Sequence, residues 1–150
     1  MPELEGVPKY VVPVSVSGPA EFTILAVWSK NNEAHRYVEA VEKAVQMYRN
    51  LFSQALTVLI GDLNSNCIWD STHPRDRNQS AHVALLESLG LVSAYHAFYG
   101  EAHGQETRAT YYFQWKQDRS YHIDYCFIPT AWARNVPRRD RRTRRMEIAQ

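Results

Sequence analysis

Residues 55–66 read Ala-Leu-Thr-Val-Leu-Ile-Gly-Asp-Leu-Asn-Ser-Asn, and the change of character inside this stretch decides the fold. Residues 55–60 are a short, near-continuous apolar run, the composition of a strand covered on both faces. The run stops at Gly61-Asp62, and a polar loop follows as far as Gln79. If the strand carries on through Asn64, side chains two apart point the same way, so Asp62 and Asn64 project together from its end.

Upstream, residues 10–17 are β-branched and interrupted by Pro13. Proline lacks the N–H that a central strand needs, so this segment is expected at a sheet edge. Gly18-Pro19 makes a turn, and residues 21–28 (EFTILAVW) read as the hairpin partner. Asn31 or Asn32 is placed to cap a helix over 34–50, where Val38, Val41, Val45 and Tyr48 recur at three- and four-residue steps. Glu39 and Lys43 pair on its other face.

Downstream, Ser80 is expected to cap a second helix with Val83, Leu86 and Leu89 inward, His82 on its surface and Gly90 at its end. Residues 110–115, rich in aromatics, and 121–128, closed by Pro129, read as two further strands. Strands mixed with helices in this order predict an α/β (α+β) fold.

A chain of 150 residues suffices for one domain, and 45% hydrophobic with 22% charged residues is the composition of a soluble globular protein. The formal net charge of +1 hides an asymmetry: residues 131–150 hold seven arginines against Asp140 and Glu147, which leaves the body mildly acidic. No apolar run approaches the ~20 residues of a membrane span, and the acidic start lacks the order of a secretion signal. Cys67 and Cys126 have no spacing that suggests zinc or a redox pair. A cytoplasmic protein with free thiols, not associated with membranes, is the expectation.

Asp62 beside Asn64 suits phosphoester chemistry. The carboxylate acts on a water or binds a hard cation, and the amide donates to a phosphate oxygen without adding negative charge. In Tyr121-His122-Ile123-Asp124-Tyr125 the same alternation puts His122 and Asp124 on one face, and an acid on so apolar a strand calls for a partner. Asp62, Asn64 and Asn66 also match the start of a calcium loop, but such a loop needs glycine and glutamate where Cys67 and His73 stand. A plain turn at Gly61-Asp62 is the structural alternative.

Taken together, GDLNSNCIWD and YHIDYCFIP resemble the endonuclease/exonuclease/phosphatase family, in which a Gly-Asp-[Phe/Leu]-Asn motif ends one buried strand and an [Arg/His]-Ile-Asp-Tyr strand follows later. The resemblance covers roughly residues 10–134. It implies a four-layer α/β sandwich of mixed β-sheets with flanking helices, here partial. It also implies a phosphoester or phosphodiester hydrolase dependent on Mg2+ or Mn2+, with Asp62 orienting or deprotonating water and holding metal. Asn64 would bind a phosphate oxygen, and Asp124 would orient a catalytic histidine. Ser29 and Asn31, near the position where many members carry a phosphate-reaching histidine and this sequence has Trp28, join Asn66 and His122 as expected substrate contacts.

The sequence also departs from the pattern. No Ser-Asp-His occurs in it, and Glu3 and Glu5 stand in the wrong context for the family's metal-binding glutamate. The expectation is therefore a domain over 1–133, incomplete at both ends and impaired in activity, followed by an arginine-rich tail over 134–150. Missing strands would leave open edges and an uncovered apolar face, which a second copy of the chain would cover. The substrate is DNA, RNA or a small phosphoester. The rival class is a non-catalytic remnant that binds nucleic acid through the tail.

Among lesser signals, Asp70 assists metal or substrate, or caps a loop. His35, His73, His82, His96 and His103 lack close-spaced histidine partners and read as ordinary polar residues. Tyr111, Tyr112, Phe113 and Trp115 read as core and edge packing rather than a stacking platform, with one partly aromatic face that leaves base binding as the alternative.

Overall fold

A computed structural model describes residue 6, residues 8–31 and residues 36–137. Arg138–Arg145 of the arginine tail, His35, Glu3 and Glu5 lie outside the described residues.

The alternating segments pair as expected. Strands β1 (Val11–Val16) and β2 (Phe22–Trp28) form an antiparallel hairpin, and β2 runs parallel to β3 (Thr57–Asp62). The crossover between them holds α1 (Tyr37–Met47) and α2 (Arg49–Gln54). Strand β4 (Leu91–Ser93) and β7 (Asp124–Pro129) complete a five-stranded mixed sheet in the order β1-β2-β3-β7-β4, which is an α/β architecture. Pro13 lies on the edge strand, where its missing N–H costs no ladder bond.

The expected helix over 34–50 begins later, at Tyr37. Asn31 is not its cap; the Arg36 N–H donates to Glu39 Oε2 at 3.1 Å. The helix breaks at Tyr48. The second helix, α3 (Gln79–Ser88), is capped by Asn78, whose side chain accepts from the Ala81 N–H at 2.9 Å, and not by Ser80. The segment 110–115 is only a two-residue strand, β5 (Tyr111–Tyr112), followed by a tight turn with Gln114 and Trp115 at positive φ. It pairs with β6 (Ser120–Tyr121). The short helices α4 (Ala94–Tyr99) and α5 (Thr130–Ala133) carry no clear signature in the sequence.

One face of the sheet is closed. Leu25, Leu59 and Phe127 are fully buried and pack with Val41, Ala44 and Val45 of α1 and Val83 and Leu86 of α3. The other face is open: Val12, Val14, Trp28 and Ile60 are all more than two-fifths exposed. Register aligns Val12, Ala26, Ile60 and Cys126 in one row across this face, and Trp28, Asp62 and Asp124 in the row above. A second large sheet, as in a four-layer sandwich, is absent among the described residues; only the two-stranded β5–β6 pair stands apart. No described helix is long and apolar enough to cross a membrane. Cys67 and Cys126 are free thiols.

Candidate active site

Asp62 is the last residue of β3 and Asp124 the first of β7, and the antiparallel register sets them directly opposite each other. Opposed side chains on such a rung lie about 5 Å apart at Cβ, and two like charges there repel. Burial raises the Asp62 pKa, and the Asp124 carboxylate raises it further, against the lowering effect of hydrogen bonds from Asn64. The pair stands at the upper rim of the open apolar face.

Asp62 and Asn64 do meet, but not by strand alternation. The strand ends at Asp62, and Asn64 turns back with φ 47°, a left-handed conformation that asparagine tolerates. Its backbone N–H donates to Asp62 Oδ1 at 2.7 Å and its Nδ2 to Asp62 Oδ2 at 2.8 Å. Nδ2 also donates to the Ser29 carbonyl at 2.9 Å. Both amide hydrogens are thereby committed, so Asn64 as it stands fixes the plane of Asp62 and leaves its Oδ1 as the open polar atom.

Gly61 makes the geometry attainable. Its φ is 142°, and a Cβ there would lie 1.9 Å from the Val27 carbonyl oxygen, so β2 and β3 approach this closely only across a glycine.

Other residues expected at the site point elsewhere. Ser29 is buried and its hydroxyl donates to the Tyr37 carbonyl at 2.6 Å. Asn66 is 2% exposed. Its Oδ1 accepts from the Ile68 N–H, and its Nδ2 is directed at the His122 carbonyl (2.9 Å), the Tyr125 hydroxyl (3.0 Å) and Glu106 Oε2 (3.1 Å). That network positions the chain behind the site and leaves no group for substrate. His122 does not share the face of Asp124, because the strand is broken before Asp124. The His122 ring is buried with Nδ1 at 2.9 Å from the Arg108 carbonyl, whereas Asp124 is exposed. Thr110 Oγ1 accepts from both the Ile123 and Asp124 N–H groups at 3.0 Å and holds that break. No histidine contacts the Asp124 carboxylate among the described residues.

Asp70 reaches the first turn of α3 from outside the helix: its carboxylate accepts from the Gln79 N–H at 2.9 Å, the Ser80 N–H at 3.2 Å and the Ser80 hydroxyl. It is not directed at the Asp62–Asp124 pair. His82, expected on the surface of that helix, is instead fully buried, its ring edge-on to Phe127.

Next to Asn64 lies a cavity of about 590 Å³, which Asn31 also lines. Trp69, Tyr111, Phe113 and Tyr121 give it aromatic walls, and Arg36 and Arg119 add positive charge. Trp69 and Tyr121 pack against each other with centroids 5.1 Å apart. The aromatic cluster expected in core and edge packing lies at the edge and is largely exposed, with Trp115 95% and Tyr112 48% accessible.

No protein-family model matches the chain, and no curated protein does. Among solved structures, an endonuclease/exonuclease/phosphatase family protein from Leptotrichia buccalis C-1013-b overlays with a TM-score of 0.44 at 17% identity. The overlay covers 78% of this chain and 41% of that one, so the chain spans about two-fifths of the length of the structure it matches.

Proposed function

We propose that the chain is a phosphodiester hydrolase domain of the endonuclease/exonuclease/phosphatase type, acting through Asp62, Asn64 and Asp124 on a substrate that carries a base. The observation that supports this is the opposed Asp62–Asp124 pair with Asn64 folded onto Asp62. Two carboxylates forced together, one already raised in pKa, are relieved by a hard divalent cation, and an all-oxygen donor set suits Mg2+ or Mn2+. Asp62 and Asp124 would hold it. Such an ion neutralises the pair and polarises a phosphoryl oxygen.

The chain's own groups do the rest. Asp62, held in one plane by Asn64, orients the attacking water and accepts its proton. Asn64 Oδ1 is free to accept from the attacking water, and reaching a phosphate oxygen with Nδ2 would require the substrate to displace the Ser29 carbonyl. Arg36 and Arg119 attract the phosphate backbone, and the aromatic walls offer faces on which a base stacks. That combination favours nucleic acid over a small phosphoester.

The test is hydrolysis of a short single-stranded oligonucleotide and of a chromogenic phosphodiester, with and without Mg2+. Turnover is expected to be slow and metal-dependent, falling by about 100-fold or more in Asp62→Asn. Turnover that survives without metal, or in Asp62→Asn, contradicts the mechanism.

A further inference from the structure

Around Glu106, whose Oε2 accepts from Asn66 Nδ2 at 3.1 Å, three groups from two segments converge. A ring nitrogen of His96 on α4, a ring nitrogen of His103 and a carboxylate oxygen of Glu106, both in the loop after α4, all lie within 4.8 Å of one another. His96 Nε2 is 3.0 Å from Glu106 Oε1, close to the ~3.4 Å between two ligands of a tetrahedral zinc. The Glu106 side chain is 3% exposed and that of His96 10%, so this is an interior site.

We infer that His96, His103 and Glu106 form a binding site for a divalent transition metal of the Zn2+ class, separate from the Asp62–Asp124 pair. Three further features distinguish it from an ordinary buried ion pair. Ser93 Oγ lies 2.7 Å from His96 Nδ1, an outer partner that keeps Nε2 turned toward Glu106. His103 stacks on His96 with centroids 3.6 Å apart, yet its own Nδ1 is buried and has no hydrogen-bond partner among the described residues. His122, more than nine-tenths buried, contacts the same cluster, its ring 6.1 Å from that of His96. Its Nδ1 donates to the Arg108 carbonyl, and its Nε2 is also without a partner among the described residues.

Buried polar atoms left unpaired are costly and call for a ligand. Two imidazoles and one carboxylate are borderline donors that select zinc, cobalt or nickel over magnesium. Glu106 also accepts from the Gly104 N–H at 3.0 Å and from Asn66, so an ion here pins the 100–108 loop to α4 and to the chain leading from Asn64. Binding there does not depend on whether Asp62 is catalytic.

Metal-stripped full-length protein titrated with Co2+ is expected to take up one tightly held ion with the visible absorption of a tetrahedral nitrogen-oxygen site. Zn2+ should displace it and Mg2+ should not. Binding should persist in Asp62→Asn, weaken by about 10–100-fold in Ser93→Ala, and disappear in His103→Asn, with folding checked by circular dichroism. In the wild-type protein, imidazole 15N resonances of His96 and His103 should shift on adding one equivalent of Zn2+, a readout that needs no variant. Unshifted imidazoles, or an affinity unchanged in both Ser93→Ala and folded His103→Asn, would overturn the site.

Discussion

Acidification should destabilise this protein through His82, by an amount that follows from its burial. The ring is fully buried on α3 and neither nitrogen has a hydrogen-bond partner among the described residues. Desolvation holds its pKa down at about 4 from 6.5. The unfolded chain therefore binds a proton below about pH 6.5 that the folded protein refuses until about pH 4. Stability from a neutral His82 is fully present above pH 6.5 and is lost as pH falls toward 4. Between about pH 7.5 and about pH 5 the loss from this one group is about 2 kcal/mol, a large fraction of an ordinary domain's 5–15 kcal/mol.

Other groups titrate in the same interval. Glu42, pushed up to about 7 by burial and by Glu39 and Asp76, works in the opposite direction, whereas His103, lowered to about 4 by burial and by His96, adds to the effect. A comparison with His82→Leu isolates the term, because both proteins share the rest. Urea unfolding at the two pH values should show the wild type losing about 2 kcal/mol more than the variant, which keeps its stability at neutral pH or gains some. Equal losses in the two proteins would refute the burial argument.

Three other outcomes follow from named contacts. Gly61→Ala drives a Cβ into the Val27 carbonyl and should cost about 3 kcal/mol or more in thermal or urea unfolding. Asp124→Asn removes a like charge opposite Asp62 and should raise stability by about 0.5 kcal/mol in the absence of metal while weakening Mg2+ binding, readable as a smaller Tm rise on adding the ion. Tyr111→Ala should weaken single-stranded oligonucleotide binding by about 1–3 kcal/mol in a fluorescence titration, with little change for inorganic phosphate.

Strand alternation and apolar runs made the β1–β2 hairpin, the β3 strand and the crossover helix legible, because in each the buried face is a simple chemical pattern. Asp62 and Asn64 were found together for a different physical reason from the expected one: a left-handed turn at Asn64 brings them into contact after the strand has stopped. His82 was misread because its polarity outweighed its position. Gln79, His82, Val83 and Leu86 follow the three- and four-residue steps of one helical stripe, and all four are buried. The residues 110–115 look like a strand by composition, yet positive φ at Gln114 and Trp115 ends it and turns the aromatics outward. The His96–His103–Glu106 cluster was invisible to a search for close-spaced histidines, since its ligands are seven and three residues apart and α4 itself had not been foreseen. A wider spacing that admits glutamate would have found it.

The claim that Asp62 and Asp124 together bind a divalent cation can be read residue by residue. Substoichiometric Mn2+ added to 15N-labelled protein should broaden the amide resonances of Asp62, Asn64 and Asp124, excess Mg2+ should restore them, and Asp62→Asn should abolish the effect. Resonances of those three residues that stay sharp, or that broaden equally in the variant, would contradict the account.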